Sequence, residues 1–252
     1  MFAVRDISYG AAALQKLDIY SPGADGRAPV LIDIHGGAWR AGSRTGRGHL
    51  ADVLTGEKGI VWVPIDYGLA PEYGIDAIVG HTRQAVTWIW HNIASYGGDP
   101  QRIFVSGNSS GGHLAAAMTI PGWLTDYGLP DGVIKGVCAI SGVYELTYMI
   151  GAPWGGPNDE LRMSEEAARR NSPVHNIAKG APPLIIAVGG AELKRMRFRE
   201  LARDYADACL RAGLDVQLFD VPEHHHLDMA RLIAERDSAL HGALMRMMGI
   251  AQ

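Results

Sequence analysis

The sequence QRIFVSGNSSGGHLAAAMTIP, residues 101–121, places a serine at the point where a predicted strand meets a predicted helix. Residues 103–105 are a short apolar run typical of a buried strand, and residues 114–118 favour a helix. A glycine stands two positions before Ser109 and another two positions after it. Because glycine lets a strand and a helix approach closely around a sharp turn, the pattern predicts a strained, exposed nucleophile at Ser109. The alternative is a glycine-rich loop with an inert serine.

The composition excludes several other classes of protein. The chain has 252 residues, of which 47% are hydrophobic and 20% charged, and its formal net charge is −4. These values predict one domain over residues 1–252, with no basic stripe for nucleic acid. No apolar run approaches the roughly 20 residues of a membrane span, and no signal peptide is recognisable, so we expect no membrane partner. Cys138 and Cys209 are predicted to be buried thiols in a cytoplasmic protein.

Strand-like and helix-like segments alternate along most of the chain. An edge hairpin is predicted at 4–9 and 14–20, further strands at 29–34, 60–65, 133–140, 183–188 and 216–221, and helices at 76–95, 198–212 and 227–248. The alternation predicts an α/β fold with a mostly parallel central sheet flanked by helices. Residues 144–173 have a weaker pattern and are predicted to form a small cap over the strand ends.

Acidic and imidazole side chains follow the last two predicted strands. A serine needs a base to take its proton, and the base needs an acid to orient it. Glu192 comes just after one strand, and His224, His225 and His226 come after the next. Asp215 precedes its strand and Asp220 lies too close to the histidines along the chain, so Glu192 is the predicted acid.

The run HGGAW, residues 35–39 and called here the glycine loop, follows another predicted strand. Consecutive glycines can turn backbone N–H groups towards one point, as a developing oxyanion requires. We predict an oxyanion hole from Gly36, Gly37 and Ser110, with His35 bracing the loop. The alternative is a tight turn with a packed tryptophan.

The chain resembles the α/β-hydrolase superfamily, and within it the HGGxW group of kynurenine formamidases (arylformamidases) and small bacterial carboxylesterases. Five segments carry the resemblance: HGGAW at 35–39, DYGLAPE at 66–72, YGGDPQRIFVSGNSSGGHLAA at 96–116, GGAE at 189–192 and PEHHHLD at 222–228. The resemblance implies the α/β-hydrolase fold, and it makes His226 the catalytic base beside Ser109 and Glu192.

This sequence departs from the group's usual pattern at three places. Gly68 stands where the group usually has arginine, and Asn108 and Ser110 flank the serine where histidine and alanine are usual. His225 and Leu227 flank His226 where asparagine and phenylalanine are usual. No predicted catalytic atom is lost by these changes.

The combined prediction is a serine hydrolase that cleaves an ester or activated amide of a small, aromatic substrate through an acyl-enzyme. Trp39, Tyr67, Tyr144 and Trp154 are the predicted substrate-binding residues. Aryl-formamide hydrolysis and a non-catalytic binding module on the same fold are the alternatives. Neither a cofactor nor a metal is expected, because three adjacent histidines cannot all face one ion and no nucleotide-binding loop is present. An edge hairpin or exposed helix offers a surface for a homodimer.

Overall fold

One eight-stranded sheet runs through the computed structural model, which describes residues 1–23, 27–151, 158–192 and 194–250. Its strands are β1 (Phe2–Ser8), β2 (Lys16–Ser21), β3 (Ala28–Ile34), β4 (Val61–Ile65), β5 (Gly98–Asn108), β6 (Ile134–Ile140), β7 (Leu184–Gly189) and β8 (Val216–Val221). Their order across the sheet is β1-β2-β4-β3-β5-β6-β7-β8. β1 pairs antiparallel with β2, and β2 with β4, whereas all later neighbours pair parallel. The predicted mostly parallel α/β fold is confirmed.

Helices cover both faces of this sheet. They are α1 (Ile75–Asn92), α2 (Ser110–Ala117), α3 (Trp123–Asp126), α4 (Asn158–Leu161), α5 (Glu165–Asn171), α6 (Phe198–Arg211) and α7 (Ala239–Met247). The central strands are buried on both sides because successive side chains point to opposite faces. In β5, Ile103 and Val105 join the core beneath α1, α2 and α6, while Phe104 joins the core beneath α7. None of the helices in the described ranges has the length and apolar content needed to cross a membrane.

The closing helix predicted over 227–248 is interrupted in the structure. A 3₁₀ turn covers Met229–Ile233, and α7 begins only at Ala239. Ser238 caps α7, since its side-chain oxygen accepts a hydrogen bond from the N–H of Leu240. Both pieces contribute to the same core, which contains Ile233 and Leu240. The prediction of one continuous helix was therefore wrong, because Ser238 caps a separate helix. The two apolar segments are still both buried in the same core.

Within the described parts of the predicted cap, 144–151 and 158–173, α5 packs beside α1, and residues 147–149 pack against α5. Arg170 in α5 donates to Asp76 in α1 at 2.8 Å, and Asn171 donates to the same carboxylate at 2.7 Å. Glu160 in α4 accepts a hydrogen bond from Arg40 at 2.8 Å, which links this segment to the end of the glycine loop. A covering role for the whole segment stays a prediction, because 152–157 lie outside the described residues.

Candidate active site

Ser109 occupies a sharp turn between the end of β5 and the start of α2. Its backbone has φ 57° and ψ −123°, a conformation that side-chain-bearing residues rarely adopt. The glycines around it are required sterically. A Cβ added at Gly107 would lie 2.2 Å from the Gly111 carbonyl oxygen, and one at Gly111 would lie 2.1 Å from the carbonyl oxygen of Ile34. This is the strand–serine–helix turn that the glycine pattern predicts.

The carboxylate of Glu192 and the imidazole of His226 are in contact. His226 Nδ1 lies 2.9 Å from Glu192 Oε2. The other carboxylate oxygen, Oε1, accepts the N–H of Gly189 at 2.8 Å and the hydroxyl of Ser141. Because an ionised carboxylate only accepts, the proton of a neutral His226 resides on Nδ1, and Nε2 is left as an acceptor. The ring stacks on Phe198 with centroids 4.3 Å apart, which fixes its plane.

Asp220, an alternative acid, and His225, an alternative base, have other partners. Asp220 accepts from Arg199 at 2.6 Å and from Arg203 at 2.7 Å. His225 Nδ1 bonds the Ala191 carbonyl oxygen at 3.1 Å. Of the three adjacent histidines, His226 is therefore the one whose ring the fold brings to Glu192.

Ser109 and His226 line the same cleft, whose volume is about 910 Å³. Gly36 and Gly37 line it too, while Ser110, the next residue after Ser109, is buried. A Cβ added at Gly36 would lie 3.0 Å from the Cβ of Ser109, so the glycine loop runs directly beside the serine. Within the described part of the chain, neither the N–H of Gly36 nor that of Gly37 has a backbone or side-chain acceptor. Both groups therefore retain donor capacity at the cleft that Ser109 lines.

His35 braces the glycine loop, as expected from the sequence. It is only 4% exposed, and its Nδ1 lies 2.8 Å from the carbonyl oxygen of Gly36. Its Nε2 lies 3.5 Å from Asp66, and its ring stacks on Tyr67. Burial lowers the pKa of His35, so this imidazole is neutral around pH 7.

The predicted substrate-binding aromatics need correction. Trp39, Tyr67 and Tyr144 are at most 2% exposed, and none of them lines the cleft. Each polar atom is satisfied in the interior: Trp39 Nε1 donates to His113 at 3.2 Å, and the two tyrosine hydroxyls donate to backbone carbonyls. These rings bury more apolar area in the core than an open cleft would allow. Trp154, the fourth predicted residue, lies outside the described residues.

Other residues form the apolar wall of the cleft, and sequence reasoning missed them. They are Leu50, Met196, Phe198, Leu227 and Ala230. Phe198 is the first residue of α6, and it both joins the core and stacks on His226. Leu227 is 87% exposed, and its place directly after a predicted base was the available signal.

The strand order is that of the α/β-hydrolase fold. At the carboxyl ends of its parallel strands, Ser109 and His226 line one cleft, and His226 contacts Glu192. The fold matches that of carboxylesterase EstE1 from a metagenomic library, with a TM-score of 0.78 at 22% identity, covering 98% of this chain and 88% of that one. It also matches the hyperthermophilic esterase of Pyrobaculum calidifontis, with a TM-score of 0.77 at 22% identity, covering 93% and 79%. At these identities the likeness concerns the fold alone.

Sequence comparison adds the family. The model of the BD-FAE family matches residues 17–193, and the chain belongs to this family. It is 32% identical over 248 residues to kynurenine formamidase of Danio rerio, covering 97% of this chain and 81% of that protein. It is 29% identical over 270 residues to esterase LipQ of Mycobacterium tuberculosis, covering 95% and 62%. The chain is thus a hydrolase of the esterase type.

Proposed function

We propose that the protein is a serine hydrolase that cleaves a carboxylic ester or activated amide through an acyl-enzyme on Ser109. The observation that carries this proposal is the 2.9 Å contact between His226 and Glu192 at the cleft that Ser109 also lines. A buried carboxylate bound to one imidazole nitrogen orients the other nitrogen and stabilises the imidazolium once it has taken a proton.

In this proposal His226 Nε2 removes the proton of Ser109 as Oγ attacks the substrate carbonyl carbon. Charge then develops on the carbonyl oxygen, where the N–H groups of Gly36, Gly37 and Ser110 act as donors. His226 returns the proton to the departing alcohol or amine. A water molecule, deprotonated by the same imidazole, releases the acid and restores the Ser109 hydroxyl.

The cleft favours a small substrate with an apolar or aromatic portion. Leu50, Met196, Phe198 and Leu227 give it an apolar wall, and its volume of about 910 Å³ suits one small molecule. Aryl-formamide hydrolysis is the second candidate, supported by the 32% identity to kynurenine formamidase over nearly the whole chain. It uses the same mechanism with a formyl group as the acyl portion.

Treatment with an organophosphate, followed by intact-mass measurement, tests the nucleophile. We expect one adduct per chain, loss of p-nitrophenyl acetate turnover, and no adduct on a folded Ser109→Ala variant. An unmodified wild-type chain without turnover would instead support a non-catalytic binding module. Comparing kcat/KM for N-formylkynurenine and for short-chain aryl esters then decides between the two substrate classes, and preference for a long-chain ester would contradict a small substrate.

A further inference from the structure

The side chains that line the Ser109 cleft have an uneven charge distribution. Among the described lining residues are Arg40, Arg47, Arg231 and His49, but neither aspartate nor glutamate, although the whole chain carries a net charge of −4. Arg40 and Arg231 form ion pairs with carboxylates that do not line the cleft. These two side chains are 47% and 57% exposed, so solvent screens their fields. They favour anions at the rim without fixing a position.

Arg47 differs because its guanidinium is held in place. Its Nε lies 2.6 Å from one oxygen of Asp33, and its Nη2 lies 3.1 Å from the other. Its Nη1 donates to Asn108 Oδ1 at 2.9 Å. The Asp33 side chain is fully buried and that of Arg47 is 13% exposed, so this fork is both rigid and in contact with the cleft.

The hydrogen-bonding capacity of Arg47 is not used up by these partners. A guanidinium has five N–H groups, and three of them are accounted for by Asp33 and Asn108. The remaining two have no acceptor within the described ranges. Asp33 balances the charge of Arg47, yet fixed N–H donors on a positively charged group still select an anionic acceptor over a neutral one. Asn108 directly precedes Ser109, so such an acceptor would lie beside the nucleophile.

We propose that the cleft recognises substrates that carry a carboxylate close to the scissile bond, and that Arg47 binds this carboxylate. This inference rests on the proposed function. The substrate class is then an anionic ester or amide. The opposing interpretation is that Arg47 only joins β3 to the serine turn. A structural role of that kind would affect neutral and anionic substrates alike, and this difference makes the proposal testable.

The first experiment compares 3-acetoxybenzoate with 3-acetoxybenzamide, which have nearly the same shape and differ in charge. We expect kcat/KM to be about tenfold higher or more for the carboxylate, as a charge-assisted hydrogen bond provides. The preference should shrink as ionic strength rises. Equal kcat/KM values for the two esters would overturn the proposal.

The second experiment removes the guanidinium without leaving a buried charge unpaired. In the double variant Asp33→Asn with Arg47→Gln, we expect the carboxylate preference to fall to within about twofold of unity, whatever happens to the absolute rates. Arg102→Gln is the matched control, because Arg102 lies near the opposite end of β5 and contacts backbone carbonyls there. An unchanged preference in the double variant would contradict a role for Arg47.

Binding of benzoate and benzamide to the Ser109→Ala variant, measured by calorimetry, needs no turnover. Benzoate binding about tenfold more tightly than benzamide supports the anion site even if no ester is hydrolysed, in which case only the proposed function fails. Hydrolysis of both esters with equal binding of the two ligands overturns the anion site alone.

Discussion

The two sides of the candidate active site are held in place by different forces. On one side, Ser109 is fixed by backbone packing, since a single methyl group at Gly111 would lie 2.1 Å from the carbonyl oxygen of Ile34. On the other side, the ring of His226 is fixed by a hydrogen bond to Glu192 and by stacking on Phe198, and its side chain remains 24% exposed. Substitutions of the glycines around Ser109 should therefore disturb folding, whereas substitutions of Glu192 or His226 should disturb chemistry.

His113 and His226 show a similar contrast between a side chain enclosed in the core and one that faces the cleft. His113, in α2, is completely buried; its Nδ1 accepts the N–H of Trp39, and its Nε2 lies 2.8 Å from the carbonyl oxygen of Asn171. Both nitrogens are used, and burial lowers the pKa of His113 to about 4. His226 has one nitrogen bound to Glu192, and its ring lines the cleft. An imidazole can act as a base only when one nitrogen is left to accept a proton.

The largest effect is expected for His226→Ala. Ser109 loses its base, so kcat should fall by on the order of 10³ or more while the melting temperature changes little. His225→Ala is the matched control, because its ring contacts the Ala191 carbonyl rather than Glu192. Steady-state kinetics with p-nitrophenyl acetate measures both. Equal losses in the two folded variants would mean that the base has been assigned to the wrong residue.

Gly111→Ala should act on stability instead. The added methyl group meets backbone atoms that cannot move independently, so we expect the free energy of unfolding to fall by about 3 kcal/mol. Gly56→Ala serves as the control, since nothing lies within 4 Å of a Cβ built at that position. Urea denaturation measures both variants. A Gly111→Ala protein as stable as the control would remove the steric explanation for the serine turn.

Glu192→Gln should lower kcat by at least about a hundredfold, though by less than the loss of the base itself. An amide cannot stabilise the imidazolium as a carboxylate does, and its NH₂ group would face the protonated nitrogen of His226. Asp220→Asn is the comparison, because Asp220 pairs with Arg199 and Arg203. Activity near that of the wild type in Glu192→Gln would place the catalytic acid elsewhere.

The smallest effect concerns His113 and pH. Its pKa in the folded protein is about 4, below the ordinary value of 6.5, so the unfolded chain binds the proton more readily. The stability that neutral His113 provides is present above pH 6.5 and is lost as the pH falls towards 4. Between pH 7 and pH 5 the loss amounts to about 2 kcal/mol.

Urea unfolding of the wild type and of His113→Gln at these two pH values checks this expectation. The variant should lose about 2 kcal/mol less over the interval, since glutamine does not titrate. His91→Gln, which changes an exposed histidine of α1, should lose as much as the wild type. Identical pH dependence in the wild type and His113→Gln would show that His113 is not held neutral by burial.

The sequence by itself determined the strand and helix order and the positions of the candidate catalytic residues along the chain. The glycine two positions before Ser109 has a steric meaning that is local in sequence, because a Cβ at Gly107 would lie 2.2 Å from the Gly111 carbonyl oxygen, whereas Gly111 is constrained by Ile34 of β3. Alternating strands and helices imply parallel pairing. The placement of Glu192 and of the three adjacent histidines followed from similar reasoning, because the carboxyl ends of parallel strands meet at one edge of the sheet. The choice of His226 among these histidines came from the resemblance to the HGGxW group.

Only the tertiary structure decided which side chains reach the cleft. The sequence does not distinguish aromatic residues of the core from those of a pocket, because both can follow the end of a strand. The burial of Trp39 and Tyr144 depends on distant partners, His113 and Tyr205, and Tyr67 is buried as well. The contact between Arg47 and Asn108 spans 61 positions and has no local sequence signal. The break before α7 was missed for a related reason. The spacing of apolar residues continues across the break, so the pattern does not show it. Packing against the sheet, rather than local preference, sets where the helix stops.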